Sequence, residues 1–184
     1  MAFGDKPFSI KEIKVAALNS DGSYGTAVSV PQARKLTVTP NIVTSKLIGT
    51  RSKTAAVASV LQDATVEIDG GGYTWDALAV MIGTDVTESG TTPNQVKKQN
   101  WSAAVNMPYF GLIGVLDDDD GGDMHIGFPK VKLTSLPSLE AAGEEEAFIT
   151  NVMEGVAIAD DDGYVMYPVA HETAEAANFT TIFS

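Results

Sequence analysis

His171-Glu172 begins like the zinc-protease signature, in which two histidines four residues apart on a helix share a metal ion. The position four residues on is Glu175, so the second ligand is missing. His125, the other of two histidines, lies in an apolar run and reads as a packed or surface side chain. Without cysteine the chain has no thiol nucleophile, no Cys-metal site and no disulfide. The acidic run Asp117–Asp123 suggests calcium, but an EF-hand loop needs an acid or Asn at positions one, three and five, Gly at six and Glu at twelve. Counted from Asp117, Gly121 falls at position five and Phe128 at position twelve. That run and Asp160-Asp161-Asp162-Gly163 read instead as solvated hairpin turns. No Gly-x-Ser-x-Gly elbow, Gly-x-Gly-x-x-Gly loop or P-loop lysine occurs, and Gly70-Gly71-Gly72 lacks their spacing. The expectation is a non-enzyme with no catalytic residue, no cofactor and no metal.

Charge narrows the partners. The 184 residues carry a formal net charge of −12 with 44% hydrophobic and 20% charged residues, a globular composition. An acidic surface repels phosphates, which argues against tight nucleic-acid binding. No run is long enough to span a membrane. Met1-Ala2-Phe3-Gly4-Asp5-Lys6 lacks the basic and apolar regions of a signal peptide, so synthesis and retention in a cytoplasm are expected. Aromatic residues are sparse, and Trp75 and Trp101 read as core rather than as ligand clamps.

The elements that would carry any site are mostly strands. Phe8 to Leu18 and Ala27 to Thr39 flank the turn Asn19–Gly25, with Pro31 breaking the second strand. Residues 40–54 read as a long polar loop with Lys46, Arg51 and Lys53 and no acid, a local reversal in so acidic a chain. From Ser59 to Asp69 apolar and polar residues alternate: Val60, Ala64, Val66 and Ile68 on one face, Asp63, Glu67 and Asp69 on the other. One short helix follows, with Thr74 as N-cap, Trp75, Leu78, Ala79 and Ile82 as its apolar stripe and Gly83 as its stop. Residues 84–100 read as loop, Trp101 to Leu116 as a long strand region, and Met124 to Leu133 as its return. Ala147 to Ala159 and Tyr164 to Val169 are the last strands, and about 170–184 is an extended tail. No linker divides residues 1–184. The fold class is mainly β, a sandwich or barrel of two packed antiparallel sheets with one flanking helix.

An ordered series of segments resembles the tail tube proteins (major tail proteins) of long-tailed bacteriophages. It runs through Asp21-Gly22-Ser23-Tyr24-Gly25, Lys46-Leu47-Ile48-Gly49, Ala64–Gly71 with Trp75–Val80, and Thr92-Pro93-Asn94-Gln95. It continues through Pro108–Gly114, Pro129–Leu133 and Glu154–Ile158, covering roughly residues 8–172. The family's fold is similar to the tube protein of the type VI secretion system.

The resemblance implies six-fold rings stacked into a hollow tube through which DNA passes without specific binding. It implies a virion protein assembled in the host cytoplasm, with tape measure, tail terminator and distal tail proteins as partners and no membrane. Under it, Asp63, Glu67 and Asp69 become candidate lumen-lining residues. Lys46, Arg51 and Lys53 become a candidate inter-ring contact meeting Asp117–Asp120 or Glu144–Glu146 of the next ring. A non-catalytic binding or decoration module of a virion is the alternative; a sugar site would need exposed aromatics in a groove.

Overall fold

The structure, a computed structural model, describes residues 6–30, 32–48, 54–72, 74–102, 106–119, 121–139 and 150–184. In chain order the elements are β1 (Pro7–Ala17), β2 (Val28–Val30), β3 (Ala33–Ile48), β4 (Thr54–Gly71), α1 (Trp75–Ile82), β5 (Val86–Ser89) and β6 (Val96–Gln99). There follow β7 (Phe110–Asp118), β8 (Asp123–Leu133), β9 (Ser138–Leu139), β10 (Thr150–Ile158), β11 (Tyr167–His171) and α2 (Phe179–Ile182). The fold is mainly β, with two antiparallel sheets and short helices, as the alternation predicts.

The larger sheet has nine strands in the order β2-β1-β7-β8-β10-β4-β3, with β11 added to β8 and β9 to β10. Its two end strands, β2 and β3, are separated in the chain by residues 31–32 alone. The sheet must therefore curl until its ends nearly meet. Gln32, at φ 55°, turns the chain between them, and its carbonyl accepts the Gly71 N–H at 2.9 Å. The segment expected as one broken strand is thus two strands at opposite ends of the sheet.

Curling encloses the main core. Ile13 and Val15 of β1, Val66 and Ile68 of β4, Phe110 and Leu112 of β7, Phe128 of β8 and Met153 of β10 pack together there. α1 covers it with Ala77, Leu78, Met81 and Ile82, a stripe rotated from the expected one, so that Trp75 and Ala79 are only half-buried. Gly83 ends the helix as expected, in the left-handed conformation at φ 74°. Thr74 makes no capping hydrogen bond, and its hydroxyl is buried without a partner.

A second core lies on the other side of β1, β7, β8 and β11. Ala16, Ile113 and Val115 are covered there by Phe179 and Ile182 of α2, with Tyr24, Tyr167 and Phe183 around them. The residues read as an extended tail are therefore a strand, a connection and a docked helical turn. Asn178 caps that turn, its side chain accepting from the N–H groups of Thr180 and Thr181. Close approach demands glycine beneath it: a Cβ on Gly127 would stand 2.6 Å from Phe183 and 2.7 Å from Ile182.

Two further readings are corrected. Residues 84–100 hold the β5–β6 hairpin, tied by Lys97 Nζ to Glu88 Oε1 at 2.6 Å. β7 begins at Phe110, and Trp101, expected in the core, is 36% exposed. Among the described residues no helix is long and apolar enough to cross a membrane.

Candidate assembly interface

β10 pairs with β4 only from Ala64 to Gly71. Beyond that point Thr54–Asp63 of β4 and Asn41–Ile48 of β3 pair only with each other among the described residues. At about 3.3 Å per residue this two-stranded arm extends roughly 25–30 Å from the body. The expected loop at 40–54 is therefore strand as far as Ile48. Ile42, Val43, Thr44 and Ile48 are β-branched and suit extended backbone, and the β3–β4 pairing holds them there. Of the expected basic contact residues, Lys46 stands exposed in this arm opposite Val57, while Arg51 and Lys53 lie outside the described residues.

A β-bulge sets which way the arm's side chains point. Asn41 pairs with Asp63 and Ile42 with Leu61, so Gln62 is the extra residue. Because side chains alternate, one inserted residue exchanges the two faces of β4 beyond it. Ala64, Val66 and Ile68 are buried as expected, but Val60, expected beside them, is 65% exposed. Cross-strand partners share a face. One face of the arm thus carries Ile42, Leu61, Thr44, Ser59, Lys46 and Val57; the other carries Val43, Val60, Ser45, Ala58, Leu47 and Ala56. Beyond Asp63 at the root of the arm, opposite Asn41, the second face carries no charged side chain among the described residues.

Seven large apolar residues of the arm are exposed: Ile42, Val43, Leu47, Ile48, Val57, Val60 and Leu61, at 44% to 65%. Full burial of one such side chain is favourable by about 1.5–3 kcal/mol. Contiguous apolar surface on a projecting hairpin marks a contact site. The arm also offers edges. No described strand pairs with the outer side of β3, nor with the far side of β4 before Ala64. Such edges accept a further strand by main-chain hydrogen bonds.

Asp63, Glu67 and Asp69 do share the β4 face turned away from the core, alternating with buried Ala64, Val66 and Ile68. Neighbouring strands change its charge. β10 sets Glu154 directly opposite Glu67, and β8 brings Lys132 opposite Val156 and Lys130 opposite Ile158 on the same face. Lys35 on β3 reaches Glu67 at 3.7 Å, an exposed pair of small energetic weight. Lys132 donates to Asn106 Oδ1 at 3.0 Å, and both lysines lie over the Tyr109 ring. The face is mixed rather than uniformly acidic.

The acidic turn at 117–123 is not the solvated cluster its composition suggests. Asp118 is buried and accepts the Lys6 N–H at 2.7 Å, Asp117 pairs with Lys11 at 3.4 Å, and Asp123 is fully buried. Asp120 and Glu144–Glu146 lie outside the described residues.

Two groups of residues escaped the sequence reading. The apolar arm did, although its β-branched residues were a signal. So did a cluster of Asp123, His125 and His171, whose signal was Asp-x-His on a strand, a spacing that sets both side chains on one face.

No family model and no curated protein matches the chain. Among solved structures it is similar to one described as the tail of an empty GTA particle computed with helical refinement in C6 symmetry. That likeness has 15% identity and a TM-score of 0.42, covering 81% of this chain and 91% of the other.

Proposed function

We propose that this chain is a non-catalytic structural subunit that assembles with its own copies into six-fold rings, stacked as the tube of a phage tail. The observation that carries the reading is the apolar β3–β4 arm. It projects beyond the core with its hydrophobic side chains uncovered, and a neighbouring subunit is a partner able to bury them. In a closed ring each subunit uses two different patches, the arm and the surface that receives it. The ordered series of tail-tube-like segments supports the same assembly. On this reading the arm makes contacts between subunits or rings largely through apolar burial, with Lys46 setting register at its edge. Asp63, Glu67 and Asp69 face the bore, where Glu154 joins them and Lys35, Lys130 and Lys132 temper the field.

Electron microscopy with light scattering of the purified chain tests this directly. Rings or tubes of six-fold symmetry are expected; a strictly monomeric species at high concentration overturns the proposal.

A further inference from the structure

Three groups able to bind a metal ion converge at the C-terminal end of the sheet. Asp123 and His125 are two residues apart on β8, and β11 sets His171 directly opposite Asp123. All three side chains therefore point to one face, toward α2. Asp123 and His125 are fully buried and His171 half-buried. The His125 and His171 rings lie 4.4 Å apart, centre to centre.

The hydrogen-bonding pattern is incomplete in a way that calls for a ligand. His125 Nε2 is 3.3 Å from Asp123 Oδ2, yet out of line for a hydrogen bond. Both ring nitrogens of His125, Asp123 Oδ1 and His171 Nε2 are buried without a hydrogen-bond partner. Buried polar atoms are almost always satisfied, so four orphans at one point need an explanation. Asp123 Oδ2 is held by the Glu175 N–H at 2.9 Å, which fixes the carboxylate and leaves its other oxygen free. A cleft of about 220 Å³ opens on the histidines, with Glu175, Asn178 and Thr181 on its walls.

We propose that Asp123, His125 and His171 bind one divalent transition-metal ion, zinc by preference, which fastens the C-terminal segment to the sheet. Two imidazoles and a carboxylate are a donor set zinc takes readily, with the fourth position open to water or to the Glu175 carboxylate. The candidate donor atoms lie within 4.8 Å of one another. Donors held tetrahedrally at about 2.0–2.1 Å stand about 3.3 Å apart. The widest separation must therefore close, and His171, half-exposed at the last position of β11, is the group able to move. Hard, oxygen-seeking magnesium fits this nitrogen-rich set poorly. The inference is independent of the tube reading, since the cluster lies in the body and not on the arm.

The test uses the full chain stripped with chelator and titrated with zinc chloride by calorimetry, with metal content measured after dialysis. One zinc per chain is expected, with visible d–d bands when cobalt replaces it. At a hundredfold excess over Kd the melting temperature should rise by about 5–10 °C, and magnesium should leave it unchanged. His171→Ala, at a half-exposed position where the fold should survive, should weaken zinc binding at least about tenfold. Asp123→Asn should do the same if it folds. No saturable zinc uptake, an equal response to magnesium, or a folded His171→Ala chain that binds zinc as tightly as the parent would each overturn the proposal.

Discussion

Leu61 stands directly opposite Ile42 across the β3–β4 pair, although Asp63, two residues further along β4, stands opposite Asn41, the immediate neighbour of Ile42. Two residues of β4 thus span one step of β3, and Gln62 takes up the difference. That single bulge lies at the root of the arm, next to the point where β10 ceases to pair with β4. On the body side of it β4 buries Ala64, Val66 and Ile68; on the far side Val60 turns to the opposite face and is exposed.

The face of the arm that carries Val43, Leu47 and Val60 should therefore decide assembly. Leu47→Glu combined with Val60→Glu places two charges where the proposed contact is apolar. Both positions are well exposed, so unfolding free energy should change by less than about 0.5 kcal/mol each. Chemical denaturation is expected to match the parent while microscopy shows loss of tubes. Normal tubes from the double variant would remove the arm from the interface. Lys46→Glu should have a milder, salt-dependent effect, visible in assembly rate at low ionic strength and fading as salt rises.

The bulge gives a second test. Deleting Gln62 removes the extra residue while leaving the flanking pairs, Asn41 with Asp63 and Ile42 with Leu61, free to form as before. What the deletion takes away is the local bend and added twist that aim the arm. The body should fold with stability within about 1 kcal/mol of the parent, and tubes should fail to form or change their helical parameters. Unchanged tubes would show that the direction of the arm is not set here.

What the sequence discloses follows from how local the physics is. Residues 64–69 are legible because the strand has one dry face and one wet face, and period-two alternation is the imprint of that difference. The arm has two exposed faces, so Ile42–Ile48 shows no alternation, and Thr44, Ser45 and Lys46 in its middle read as a loop. The bulge at Gln62 then breaks the phase that would have placed Val60. α2 is only four residues long, too short for a helical period, and is held by contacts with β1 and β7 and by close approach to Gly127 of β8, all from distant parts of the chain. Asp123 and His125 are near neighbours in sequence, but His171 joins them through the β8–β11 pairing alone.

The second core makes a stability prediction. Phe179 is 5% exposed and closes Ala16, Ile113 and Val115 from solvent. Phe179→Ala should cost about 3–4 kcal/mol, as large-to-small changes in a core do. Gly127→Ala should cost about 1–3 kcal/mol by the opposite route, forcing a methyl against Phe183 and Ile182. Denaturant melts at matched slope would measure both. A neutral Phe179→Ala would mean that α2 is not part of the cooperative unit.

The last prediction concerns the outward face of β4. If Asp63, Glu67 and Asp69 line a bore, their charge meets DNA, which carries about one negative charge per 1.7 Å of axis. Lys35 already draws on Glu67, and Lys130 and Lys132 lie on the same face, so these acids and Glu154 are what keep it from attracting phosphate. Replacing all three with Lys reverses that balance in every subunit. None of the three is in the core, so rings should still assemble, with some loss of stability at half-buried Asp69. DNA should then adhere to the wall, and ejection should slow or stop, most severely at low salt where screening is weak. The measurement is the ejection rate of assembled variant tails across ionic strength. A normal rate at low salt, or a tube reconstruction placing these side chains on the outer wall, would remove them from the path of the DNA.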